Sequence, residues 1–266
     1  MQIFGGLMEF TSRLITFRIS HYCEKVRWTL DRISFPYVEE CHLPLLHRLK
    51  TTPLGGSSVP VLVTKAEILK DSADILKHLE TVAPPHLKLY PDLPVLRQEV
   101  QALEAEFNLK LGVLTRQWGY FYALQNQSVM KELWCEGVPT WEKLLFPIMF
   151  PLTCRLIHSS YNVHRDSASA AYRQIQRIFK GVSDRLSDGR RYLVGDCFSA
   201  ADLAFASLSA PSVVPPQYGG CFPELNQLPD EMVEQIQILR ETIAGKYALR
   251  LYEEERCPVQ EKLITP

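Results

Sequence analysis

An α/β unit followed by an all-helical one is the architecture that three features of this 266-residue sequence predict. Short β-branched and aromatic runs alternate with helical periodicity as far as residue 83. Four prolines then fall between residues 84 and 94, and beyond them apolar residues recur only at helical spacing. The expected organisation is therefore an α/β domain over 12–83, a proline-rich linker over 84–95 and an all-α helical bundle over 96–256. A chain of this length buries a sizeable core without disulfide staples.

Residues 14–19 (LITFRI) predict a strand. Residues 21–33 follow as a helix, with Tyr22, Val26, Leu30 and Ile33 at helical spacing and Glu24, Lys25, Arg27, Asp31 and Arg32 facing away. Residues 35–41 alternate apolar and acidic side chains, a second strand. A short or irregular helix over 42–50 and a loop over 51–58 come next. Residues 59–63 and 67–69 predict two more strands, and Asp71-Ser72 opens a helix that runs to about Val82. The order βαβαββα is that of the thioredoxin-like fold.

Past the linker, Leu96, Val100, Leu103, Phe107, Leu111, Leu114 and Trp118 form one apolar stripe, which predicts a single long helix. Ala171, Ile175, Ile178, Val182 and Leu186 repeat the pattern in a helix from near Asp166 to Gly189. The densest apolar patch, 144–152, is too short and too interrupted by proline to span a bilayer and is expected to be a buried helix start. At Phe198-Ser199-Ala200-Ala201-Asp202-Leu203, Ser199 can cap a helix while Asp202 reaches back to the serine amide. Such a cap is worth about 1 kcal/mol and is a folding element, not a catalytic pair.

Composition narrows the function. A charged fraction of 22% and a net charge of −1 provide no basic stripe for a run of phosphates, which argues against nucleic acid as a partner. The N-terminal stretch MQIFGGLMEFTSRL lacks a basic start, a long apolar run and a small-residue cleavage site, so no stable membrane insertion and a cytoplasmic location are expected. Seven cysteines, at 23, 41, 135, 154, 197, 221 and 257, form neither an even disulfide framework nor a CxxC pair and read as free thiols in a reducing compartment. The sequon Asn126-Gln127-Ser128 carries no meaning in such a chain. No phosphate loop, metal-ligand cluster or Ser-His-Asp order argues for another chemistry, and no metal is expected.

Four motifs in order carry a resemblance. They are Ser20-His21-Tyr22-Cys23 at a strand-to-helix junction, Ser58-Val59-Pro60-Val61 before the third strand, Asp71-Ser72 at a helix start, and Leu193-Val194-Gly195-Asp196 leading into the capping box. Over most of its length the chain resembles the cytosolic glutathione transferases of the serine type, with no class assigned. On its own, Ser20 is a helix N-cap. The resemblance implies that its hydroxyl also donates to the sulfur of glutathione, the co-substrate, and favours the thiolate. Lowering a thiol pKa by about two units needs roughly 2.7 kcal/mol. One hydrogen bond to a charged group supplies about 1.5–3 kcal/mol and a helix N-terminus about 0.3–1. Tyr22 and Cys23 stay open as the sulfur's partner, with Cys23 also readable as a packed, inert thiol.

The resemblance further implies a cis Val59-Pro60 corner that pairs with the cysteinyl part of glutathione, and an Asp71-Ser72 pair that receives its γ-glutamyl group where the family usually has glutamate. His42, His47 and Lys50 are the candidates for its glycine carboxylate. A small hydrophobic electrophile is expected between the domains, against His21, Trp118, Tyr120, Phe121, Tyr122 and the 210–218 segment, with Trp118 also readable as core. Relatives are commonly homodimers. Two other functions stay open: a non-catalytic binding or scaffold protein of the same fold, and a glutathione-dependent thiol reductase or dehalogenase working through Cys23.

Overall fold

A computed structural model describes residues 11–256, so the first ten residues and Cys257, on which part of the reading above falls, lie outside the described residues. The chain opens with strand β1 (Ser12–Thr16), helix α1 (His21–Arg32) and strand β2 (Tyr37–Cys41). A short helix α2 (Arg48–Thr51), strands β3 (Val61–Val63) and β4 (Ile68–Leu69) and helix α3 (Ser72–Val82) complete the α/β unit. The sheet order is β2-β1-β3-β4. β1 runs parallel to β2 and antiparallel to β3, which is antiparallel to β4, the expected thioredoxin-like arrangement.

Eight α-helices follow among the described residues: α4 (Pro94–Glu106), α5 (Gly112–Ala123), α6 (Gln127–Cys135), α7 (Thr140–Tyr161), α8 (Arg165–Leu186), α9 (Ala200–Val213), α10 (Asp230–Glu241) and α11 (Ile243–Glu255). Nearly every side chain of α9 is buried, as an all-round apolar helix requires. It is packed by α1, α4, α5, α10 and α11. One continuous core runs from Leu14 and Leu62 of the sheet through Trp28 to Phe205 and Tyr247. The capping box forms as predicted, with the Ser199 amide donating to Asp202 across 2.8 Å. Asn126 accepts from the amides of Ser128 and Val129, which gives the sequon a capping role at α6. No helix among the described residues is long and apolar enough to cross a membrane.

Five expectations need correction. β1 stops at Thr16 because the carbonyls of Phe17, Arg18 and Ile19 are taken by Arg27 and Tyr218 side chains instead of a neighbouring strand. Residues 51–54 are helical, not loop, and the turn comes at Gly55, whose φ of 73° suits glycine. The polar side of α1 is not solvated: Glu24, Lys25 and Arg27 are fully buried, since this helix packs on α3 and α9 at once. In 144–152 only Phe146 and Phe150 are buried, whereas Leu144 and Ile148 are 75% and 74% exposed. Finally, the long stripe is interrupted by a π-turn over Phe107–Leu111, which divides it into α4 and α5.

That π-turn fixes α1 against the helical half. A π-turn leaves carbonyls without their usual intrahelical donor. Here the Tyr22 hydroxyl donates to the Asn108 carbonyl at 2.7 Å, and His21 Nε2 lies 2.9 Å from the Gly112 carbonyl. Lys25 Nζ donates to the Asn108 side chain at 2.8 Å and to Glu104 at 3.3 Å. α6 and α7 build a second, smaller core around Trp134, Phe146 and Phe150. The buried Glu142 of α7 anchors it to the end of β2, accepting from the Leu43 amide at 2.7 Å and meeting His42 Nδ1 at 2.6 Å.

Candidate active site

The turn over residues 17–20 is the centre of the site, and its shape follows from buried charge. Arg27, fully enclosed, donates through Nη2 to the carbonyls of Phe17 and Arg18, each at 3.0 Å. Its Nε and Nη1 donate to Glu39 at 2.6 Å and Glu24 at 3.1 Å. Glu39 also accepts from Thr16 and Arg18, and Glu24 accepts from Arg256 and from the Gly219 amide. Tyr218 adds a 2.8 Å bond to the Ile19 carbonyl. Burial alone would push the Glu39 carboxyl up, but the flanking guanidiniums and the Thr16 hydroxyl hold it at about 2.

The turn delivers Ser20 to the N-cap of α1. Its Oγ accepts from the Cys23 amide at 3.3 Å, and its hydroxyl also hydrogen-bonds the Cys23 thiol, a weak acceptor. Ser20 is half-buried and faces a cavity of about 300 Å³. Val59 and Ser58 line the same cavity, and the Val59–Pro60 bond is cis, as the resemblance implies. His47 and Arg48 close the wall beside them. His47 is pushed down to about 4, chiefly by burial, and its Nδ1 has no hydrogen-bond partner among the described residues. Leu45 and Val214, both on the wall, adopt left-handed φ values of 72° and 47°, backbone strain of the kind that surrounding packing must hold in place.

The structure separates the remaining candidates. His21 and Tyr22 reach the cavity, but their polar atoms are committed to the π-turn, and burial together with Arg116 holds the His21 imidazole at about 3, neutral at ordinary pH. Cys23 is fully enclosed, and burial pushes its thiol up to about 11 against the pull of Arg27 and Ser20. Asp71 caps α3, accepting from the Ala73 amide at 2.7 Å, and acts electrostatically on Tyr22 and Lys25; neither it nor the buried Ser72 is a lining residue. His42 is turned away to Glu142, and Lys50 is exposed outside the cavity.

Trp118 and Tyr122 are also corrected. Both belong to the buried stripe, and Trp118 donates to Gln235 of α10 at 2.6 Å. The cavity is met instead by Thr115, Arg116, Gly119 and Tyr120, about 100° round the same helix. The opposite wall is α6 and α7, through Met130, Leu133, Trp134 and Ile157. Sequence reasoning missed Arg27, Glu24, Glu39, Arg48 and Arg116. The only sequence signal for the first three was an excess of charge in elements short enough to be covered on both sides.

Residues 14–86 match the family described as Glutathione S-transferase, N-terminal domain. Over those residues the chain is similar to the N-terminal domain of the glutathione transferases. The resemblance drawn from its motifs is thus borne out, with the class unassigned. Solved structures extend the fold to nearly the whole chain. A possible glutathione S-transferase from Rhodopseudomonas palustris is 17% identical, with a TM-score of 0.56 over 94% of this chain and 98% of that one. Ure2p5 from Phanerochaete chrysosporium, cocrystallized with 1-(S-glutathionyl)-2,4-dinitrobenzene, is 18% identical, with a TM-score of 0.55 over 92% and 96%. A glutathione S-transferase from Methylobacillus flagellatus with glutathione bound is 17% identical, with a TM-score of 0.51 over 94% and 100%. No curated protein sequence matches the chain. The transferase fold accordingly covers both the α/β unit that carries Ser20 and the helices that close the cavity.

Proposed function

We propose that this protein is a glutathione-dependent transferase that activates the tripeptide thiol at Ser20 and delivers it to a small hydrophobic electrophile. The observation that carries this reading is the Ser20 hydroxyl, held at a helix N-terminus on a cavity wall, where a thiolate would be a stronger acceptor than the Cys23 thiol. Arg48 lines the cavity, and no carboxylate does among the described residues, which favours a peptide with two carboxylates as the ligand. Asp71, at the α3 N-terminus outside the cavity lining, would meet the ammonium of a tripeptide that extends past the cavity, and the Val59 backbone the cysteinyl unit.

In the reaction the thiol loses its proton to solvent. The Ser20 O–H donates to the resulting sulfur anion, adding to the field of the α1 N-terminus, and the two together cover a shift of about two pKa units. The thiolate attacks the electrophilic carbon, a C–S bond forms, and the leaving group departs with its electron pair. Apolar walls from α6 and α7 keep water from the developing bond. The protein is further proposed to be cytoplasmic and homodimeric, the latter readable by sedimentation.

Glutathione titration and turnover of 1-chloro-2,4-dinitrobenzene and cumene hydroperoxide test the reading. Ser20→Ala should lower turnover at least about tenfold, and Asp71→Ala should abolish retention on immobilised glutathione. Unchanged turnover in Ser20→Ala would remove the serine from the mechanism. Absence of any glutathione binding would leave a scaffold of the same fold. Loss of activity in Cys23→Ser with Ser20→Ala unaffected would favour the thiol-reductase reading, against which the enclosed, high-pKa thiol of Cys23 argues.

A further inference from the structure

Arg116 differs from every other enclosed guanidinium near the site. Arg27 and Arg256 each bond two carboxylates. Arg116 lines the cavity from α5, its Nε is closed off from water without a hydrogen-bond partner, and it has no carboxylate partner among the described residues. Two aromatic rings hold it: the guanidinium carbon lies 4.3 Å from the Tyr161 ring centre and 5.7 Å from that of Tyr22. Those contacts fix its position without neutralising its charge. A half-buried guanidinium in this state gains from an incoming anion what the protein does not supply, and its planar fork matches a carboxylate.

The neighbouring wall is apolar, through Met130, Leu133, Trp134 and Ile157. A ligand meeting both features joins an apolar or aromatic body to an acidic group. We infer that Arg116 recognises a carboxylate on the second substrate, so that the cavity selects acid-bearing aromatic electrophiles over neutral ones of the same shape. This rests on the transferase reading for the reaction, but not for the binding.

The test uses 4-chloro-3-nitrobenzoate and its neutral isostere 4-chloro-3-nitrobenzamide, titrated calorimetrically into the full chain without glutathione. Glutathione is titrated separately. The benzoate should bind roughly tenfold more tightly, about 1.4 kcal/mol, and the preference should shrink with rising salt. Arg116→Gln should erase the preference and Arg116→Lys should retain part of it, with thermal unfolding confirming that both fold. Should Arg116→Gln fail to fold, the wild-type preference, its salt dependence and the Lys variant carry the test. Equal binding of the two probes, no binding of either, or a preference that survives in Arg116→Gln would overturn the inference. So would a parallel loss of glutathione affinity in Arg116→Gln, since the carboxylate served would then be the tripeptide's own. Arg116-dependent preference for the benzoate in a chain that binds no glutathione would sustain the inference while overturning the transferase reading.

Discussion

Arg27 Nε lies 2.6 Å from Glu39 Oε1, and neither side chain touches water. Removing one member of such a pair strands the other, which typically costs about 3–5 kcal/mol. Arg27→Met is expected to lose that much, since it frees Glu39, Glu24 and two carbonyls of the Ser20 turn together; urea midpoints measure it. Glu39 also sets an acid limb. Its carboxyl falls from 4.5 to about 2 on folding, so its contribution is complete above pH 4.5 and is lost as pH drops towards 2. Glu39→Gln should flatten that limb.

His21 produces a second limb at higher pH. The folded imidazole is held at about 3, by burial first and Arg116 second, against 6.5 in the unfolded chain. Between those values the unfolded state binds a proton that the native state refuses, so stability declines as pH falls from 6.5 towards 3. At about 1.36 kcal/mol per pKa unit the effect amounts to several kcal/mol. His21→Gln, which keeps a donor for the Gly112 carbonyl, should reduce the slope above pH 4.5, where Glu39 is silent, leaving the part due to His47, itself held at about 4.

Gly220 packs under the site. A Cβ there would strike the Arg18 carbonyl oxygen and crowd the Tyr218 ring, the two groups that shape the turn. Gly220→Ala should cost about 1–3 kcal/mol and shift the Ser20 turn. Gly181 of α8 has open space around its Cβ position, so Gly181→Ala should instead stabilise by up to about 1 kcal/mol. Paired thermal melts decide both.

Asp202 collects the Leu193 amide, the Ser199 amide and hydroxyl, and the Tyr247 hydroxyl in a fully buried position. Asp202→Ala leaves several buried donors unmet, and the expected loss is about 3 kcal/mol or more. Ser199→Ala should cost only about 1. Denaturant curves for the two variants would expose any departure from that order.

Thiol labelling should follow exposure. Among the described residues Cys197 is exposed and Cys23 and Cys41 are buried, with burial holding Cys23 up at about 11. A Cys257→Ser background should therefore label first at Cys197, and at Cys23 only as fast as the fold opens. Mass spectrometry of timed aliquots would reveal early Cys23 modification.

Local signals survived translation into three dimensions. The capping box and the Asp71 cap depend on residues within a few positions of one another, and both formed where the pattern placed them. Long-range pairing was invisible. Glu24, Lys25 and Arg27 have the spacing of a solvated face, and only Glu39, Glu104 and Arg256, supplied from elsewhere in the chain, turn them into a buried network. Trp118 and Tyr122 failed as wall residues for a related reason. Periodicity locates a helix face but does not reveal which neighbour will cover it, and α10 covers theirs.

Glu24 receives its second guanidinium from Arg256, 232 positions later in the chain. While the protein is still emerging from the ribosome, that carboxylate has Arg27 alone, and the turn beneath Ser20 lacks Gly219 and Tyr218 as well. Synthesis of the opening helix therefore precedes by most of the polypeptide the moment at which its N-terminal end gains these partners, and a truncated product would carry Ser20 without the contacts that hold its turn.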